Sequence, residues 1–315
     1  MKLKKKWTQK RKKELLAYVL FLAIPVLQFI VFYIGVNLNS ILLAFKEYTP
    51  VLQPDGTYLY DYTFTGFDNF KDIIAEFTGE NPTLRIALTN SFLVYAITLV
   101  VSVPLALLFS FYIFKKKFMY KTFQLMLFLP SIISGVVMAV AFTNIVDRVY
   151  PEIMGHLTGT FAEGLLSNAD IRFWVLIFFS VWVSFGSGIL LYSGAMNRIS
   201  PEMLEAARID GVNDVQEFIH MIFPMVFPTL STLLVVGIAG IFMNQLNLFT
   251  FFPGGSPDET INTLGYYLFF ETARAKMDRY PYLAAFGLMI TIVVVPLTYA
   301  VKWALNKFGY KDVDY

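Results

Sequence analysis

The chain contains no cysteine and only two histidines, His156 and His220, among its 315 residues. Structural disulfides, thiol redox chemistry and zinc–thiolate sites are thereby excluded. Two imidazoles far apart in the chain do not by themselves make a metal cluster or a catalytic dyad. Charge is scarce as well: Asp, Glu, Lys and Arg make up 15% of the residues, against about 25% in soluble chains. A glycine loop of the Walker A type, an HExxH helix and a GxSxG elbow are all missing, so the sequence shows neither an ATP site nor a recognisable catalytic one. What it has in excess is apolar, with 57% hydrophobic residues and a mean hydropathy of +0.59. No soluble fold of this size covers that much apolar surface, so lipid is the solvent for much of it.

Six apolar runs, each free of Asp, Glu, Lys, Arg and His, carry this excess: 15–45, 86–114, 122–146, 173–197, 221–249 and 282–301. At about 1.5 Å per helical residue, each is long enough to cross about 30 Å of hydrocarbon. The expected fold is all-α, a polytopic membrane protein with six crossings. Proton- and ion-driven carriers place ionisable groups inside the membrane, where they are costly and therefore functional. Their absence points to an energy source outside this polypeptide.

Residues 1–14 hold eight basic side chains, from Lys2 to Lys13, immediately before the first run. That run is too long for a signal peptide and shows no small-residue cleavage site, so it reads as an uncleaved first helix with a cytoplasmic anchor rather than a nucleic-acid arm. Both termini then fall on one side, and 17 of the 25 Lys and Arg lie there. The excess over short loops orients the termini to the cytoplasm. The organisation expected is a basic segment 1–14, a first span 15–45, an extracytoplasmic loop 46–85, a five-helix core 86–305 with a polar cytoplasmic loop at 198–222, and a tail 306–315. The loop 46–85 carries the turn signal Pro54-Asp55-Gly56 and ends in the amphipathic stretch GFDNFKDII, which reads as a short interfacial helix.

The polar island Pro201–Pro224 organises the rest. Ser200 followed by Pro201 reads as an N-cap and first helical residue, and Glu202 and Glu205 sit where the helix dipole favours acid. Gly211 stops this helix, and Asn213 with Gln216 reads as a capping box that starts another. The pattern Glu205-Ala206-Ala207, Asp210-Gly211 and then Ile222-Phe223-Pro224 resembles the EAA loop of ABC-type importer permeases of the carbohydrate-uptake branch, with Phe223 where that family usually has leucine. GFDNF is similar to the segment before the second span of such permeases.

The resemblance implies a permease subunit of an ATP-driven, binding-protein-dependent importer of a sugar or oligosaccharide in a prokaryotic cell membrane. It implies a second permease subunit, two ATPase subunits that bind ATP and Mg, and an extracytoplasmic solute-binding protein, with no cofactor in this chain. Glu205, Ala206, Ala207, Asp210 and Gly211 would form the ATPase-coupling loop. A different solute (a polyol, glycerol phosphate or a peptide) and a secondary carrier or membrane scaffold are the alternatives. For the substrate path, Ser180, Ser184 and Ser187 fall on one face of the fourth span by helical spacing. Gly237, Gly240 and Asn244 do so on the fifth, and Ser131 and Gly135 follow Pro130 in the third. Such stripes serve equally well as close-packing faces of membrane helices. Trp182 and Tyr192 offer rings that stack on sugars.

Overall fold

The computed structural model describes residues 9–310, so the first eight residues of the basic segment and the last five of the tail lie outside the described residues. Among the described residues, five helices are long and apolar enough to cross a membrane, or six if one bent pair counts as a single span. They are Lys13–Leu43, Thr83–Phe114, Ala169–Met196, Asp214–Ala239 and Tyr280–Phe308, with Tyr120–Ile132 and Gly135–Thr158 as the bent pair. With the bent pair taken as one broken span, the order matches the six crossings expected from hydropathy. A helix satisfies its own backbone, the one solution available to an unclosed segment in hydrocarbon.

Two units divide the chain: Met1–Ala75 with Ala275–Met289, and Glu76–Arg274 with Ile290–Tyr315. In the first, the initial span exposes apolar side chains along its length, Phe21 and Ile24 among them. An antiparallel hairpin follows, Lys46–Leu52 against Tyr58–Phe64, paired Lys46↔Phe64 through Leu52↔Tyr58. The hairpin stands where the sequence predicts a loop with a turn at Pro54-Asp55-Gly56. The helix expected from GFDNFKDII is present as Asp68–Thr78. Asn69 ties its start to the end of the first span by donating to the carbonyls of Ala44 (3.0 Å) and Lys46 (2.8 Å).

In the second unit the fourth span is the spine. One apolar cluster surrounds its first half (Leu176, Ile177, Phe179 with Phe142, Leu246 and Tyr266). Another surrounds its second half (Ile189, Tyr192, Met196 with Leu107, Ile222 and Val226). Two expected spans are interrupted or cut short. The third is broken: its helices meet at 104° where Ile133 and Ser134 adopt extended backbone. Pro130 has already removed one ladder hydrogen bond there, and Ser134 and Gly135 start the next helix. The fifth ends at Ala239 rather than near 249, because Gly240 closes the helix and Leu246 and Asn247 take left-handed backbone (φ 49° and 55°).

Gly265 is a position in this unit where a side chain would meet fixed backbone. A Cβ there would lie 2.6 Å from the Met243 carbonyl carbon and 2.9 Å from the Asn244 oxygen, both backbone atoms that cannot rotate away. Gly265→Ala is expected to lower the thermal unfolding midpoint in detergent, at a cost of about 1–3 kcal/mol. An unchanged midpoint would mean the loop shifts freely.

Candidate functional site

The polar island folds as a helix, a glycine elbow and a second helix that runs on into the membrane. Ser200 caps the first helix, Pro201–Ile209, by accepting from the Met203 N–H (3.4 Å). At its end Gly211 takes φ +81°. The Gly211 N–H donates to the Arg208 carbonyl (3.1 Å) and the Val212 N–H to that of Ala207 (3.0 Å). These are the paired bonds of a Schellman stop, which only glycine enters without strain. Asn213 begins the next helix with a complete capping box: its N–H donates to Gln216 Oε1 (3.1 Å) and its Oδ1 accepts from the Gln216 N–H (2.9 Å). That helix passes through a π-helical turn, Phe218–Ile222, without interruption into the fifth span, giving one body of 26 residues.

The elbow has an inner and an outer side. Ala207 is buried, and Met203 and Leu204 pack against the apolar cluster at the end of the fourth span. Glu205, Ala206, Asp210 and Gly211 are exposed, and so is Ile209, at 85%. Ala207 therefore belongs to the bundle side, and Ile209 presents an apolar side chain outward.

An ion cluster, unread in the sequence, fixes the elbow to the end of the second span. Lys115 Nζ lies 2.7 Å from Glu217 Oε2 and 3.0 Å from Asp214 Oδ1, and Lys117 Nζ lies 2.7 Å from Asp214 Oδ2. The first pair is deep, with side chains 8% and 2% exposed, while Lys117 and Asp214 are half in solvent. Asp214 sits in the polar turns ahead of the apolar run that begins at Met221. Nothing local signals this cluster, because its members are about a hundred residues apart in sequence.

The substrate-path candidates scatter. Ser184 shares a 3.0 Å hydrogen bond with Ser102 of the second span and also donates to the Val181 carbonyl, so it joins two helices. Ser180 is half-buried, and Ser187 is exposed and donates to the Ser184 carbonyl (3.1 Å). Ser131 lies against Gly186, where a Cβ would sit 2.5 Å from its Oγ, and Gly135 is exposed just past the bend. Gly237 faces the Tyr95 ring, Gly240 closes the fifth span, and Asn244 lies beyond it in a turn, its Oδ1 accepting from the Leu246 N–H (2.8 Å). The expected stripe Gly237-Gly240-Asn244 is thus not one helical face, since the helix has ended. Tyr192 is 2% exposed and serves the core; Trp182 packs beside Phe142 and Phe179.

A mostly helical membrane bundle with a capped polar elbow between its fourth and fifth crossings is the fold of an importer permease. A chain of the crystal structure of a bacterial ABC transporter involved in the import of the acidic polysaccharide alginate superposes with a TM-score of 0.76. It shares 20% identity, over 95% of this chain and 98% of that one. The chain belongs to the family of binding-protein-dependent transport system inner membrane components, whose model matches residues 99–308. Among its relatives are the arabinooligosaccharides transport system permease protein AraP of Bacillus subtilis, 24% identical over 88% of this chain and 84% of that protein. Another is the probable starch degradation products transport system permease protein AmyD of Thermoanaerobacterium thermosulfurigenes, 27% identical over 76% and 78%.

Removing one member of a buried pair strands the other. Lys115→Met is expected to destabilise the chain by about 3 kcal/mol or more, because Glu217 must stay unpaired or take up a proton, whereas Lys115→Met with Glu217→Leu recovers most of the loss. Lys117→Ala, at the solvated pair, costs under about 1 kcal/mol. Thermal unfolding of the three variants in detergent measures this order, and equal losses in all three would contradict it.

Proposed function

We propose that this chain is a permease subunit of an ATP-driven, binding-protein-dependent importer that carries a sugar or oligosaccharide across a prokaryotic cell membrane. The observation that carries the proposal is the elbow: a short capped helix, apolar at Ile209 and acidic at Glu205 on its outward side, turned at Gly211 onto a helix that is continuous with the fifth span and ion-paired to the end of the second. A force applied there moves membrane helices, because hydrogen-bonded backbone and buried ions join the parts. The described spans carry no charge in their apolar runs, which suits a neutral polyhydroxylated solute. The arabinooligosaccharide and starch-product permeases among its relatives favour the same solute class.

In this reading the elbow and both termini face the cytoplasm. Two ATPase subunits, which hold ATP and Mg, grip Glu205, Ala206, Ile209, Asp210 and Gly211. A second permease subunit completes the pore, and an extracytoplasmic protein delivers the solute. Closure of the ATPases draws the elbows together and turns the cavity outward; hydrolysis returns it. Exposed polar groups, Ser187, Ser131 and Asn244, supply exchangeable hydrogen bonds along the path, with Gly135 leaving room at the bend. Ser184, bonded between helices, holds the wall.

Gly211 gives the discriminating test. A Cβ there meets nothing of this chain within 4 Å, so within the chain the cost of substitution is that of the left-handed backbone, about 1–2 kcal/mol for an ordinary side chain. Gly211→Val is expected to leave the subunits assembled and hydrolysing ATP but to lose most solute uptake, while Gly211→Asn, which tolerates this conformation, keeps it. Full uptake with Gly211→Val in reconstituted vesicles would contradict the coupling role, and failure of the chain to co-purify with a nucleotide-binding subunit would contradict the class.

A further inference from the structure

The hairpin after the first span has a chemistry that transport does not call on. Strand alternation puts Lys46, Tyr48, Pro50 and Leu52 on one face with their partners Phe64, Tyr62, Tyr60 and Tyr58. Apart from Lys46, every member of that face is aromatic or apolar. The opposite face holds Glu47, Thr49, Asp61 and Thr63, with Thr49 and Thr63 hydrogen-bonded at 2.8 Å, and Val51 and Leu59 toward the tip. On the aromatic face the Tyr48 ring lies 5.0 Å from that of Tyr62 and 5.5 Å from that of Tyr60. Tyr58, Tyr60 and Phe64 are nonetheless 67%, 57% and 76% exposed. A two-stranded hairpin is marginal in water on its own and needs something to cover one face.

Its position says what covers it. The first strand starts at Lys46, directly after the span Lys13–Leu43 ends, and Asn69 holds the Lys46 carbonyl at 2.8 Å. The second strand is pinned independently: the Tyr62 hydroxyl donates to the Met277 carbonyl (3.1 Å), just before the last span begins at Tyr280. Two membrane spans thus hold the hairpin at the level where each leaves the hydrocarbon. That is the depth at which tyrosines, with an apolar ring and a polar hydroxyl, gather in membrane proteins.

We infer that the hairpin lies flat on the bilayer, its aromatic face in the lipid headgroup layer and its Glu47–Asp61 face toward water. It acts as an interfacial float that fixes the height and tilt of the first span. The occupant is the lipid surface itself, because the face is continuous with the boundary that both spans cross. Its one cation, Lys46, sits at the base, where it reaches lipid phosphates.

The absence of native cysteine makes the test direct. Single cysteines replace Tyr60 or Tyr58 on the aromatic face and Asp61 on the other, in the full chain assembled with its partner subunits. Each is spin-labelled and reconstituted in vesicles of phosphatidylethanolamine and phosphatidylglycerol without a delivery protein. Labels at 60 and 58 are expected to be relaxed several-fold more by oxygen than by a water-soluble nickel chelate, and the label at 61 to show the reverse. Equal access of the nickel chelate to all three overturns the inference, as does shielding of 60 and 58 only when a delivery protein or oligosaccharide is added. Agreement at 58 alone, with a Tyr60→Cys chain that fails to assemble, still supports it.

Discussion

A buried ion pair makes the elbow part of the bundle. Lys115 follows the last turn of a helix, where the dipole favours a cation, and Glu217 lies in the first turns of another, where it favours an acid. The 2.7 Å contact between them therefore gains from both helix ends as well as from charge. Its desolvation is costly, and Glu217 Oε1 has no hydrogen-bond partner among the described residues, so this contact works as specification more than as bulk stabilisation. It sets where the elbow sits against the second span. The capping box at Asn213 and the Schellman stop at Gly211 then set the direction in which the outer helix leaves.

Beyond the elbow, the bundle is held by close approach of small residues. Gly188 would bring a Cβ to 3.2 Å from the Ala106 side chain, and Gly186 accommodates Ser131 and Phe128. Lipid offers helices little hydrophobic reason to associate, so contact of this kind and hydroxyl bonds such as Ser102 to Ser184 replace it. In the proposed reading the same residue types hold the wall and line the path. Their burial separates the two duties: half-buried Ser184 bridges helices, while Ser187, one turn on, is exposed.

What could be read in the sequence was what is encoded locally. Ser200-Pro201, Gly211 and the Asn213–Gln216 pair specify caps and turns within a few residues, and all formed as their chemistry requires. Hydropathy gave the crossings, though not their interruptions. Ile133 and Ser134 are ordinary residues for a membrane helix, and only Pro130 hints at the bend. Asn244 fits a helical repeat with Gly237 and Gly240, yet the helix had already stopped at Ala239. The hairpin escaped because its turn signal was noticed while the alternation of Tyr58, Tyr60 and Tyr62 was not. The Lys115–Glu217 pair was beyond reach, because a contact across such a separation leaves no local pattern.

The central claim is that partner ATPases work this bundle through the elbow. Accessibility of a single cysteine at exposed Ala206, measured with a membrane-impermeant maleimide in sealed vesicles of both orientations, tests it most directly. The account predicts labelling only from the cytoplasmic side, and loss of that labelling once the ATPase subunits are assembled. Labelling from the opposite side, or labelling indifferent to the ATPase, would contradict it.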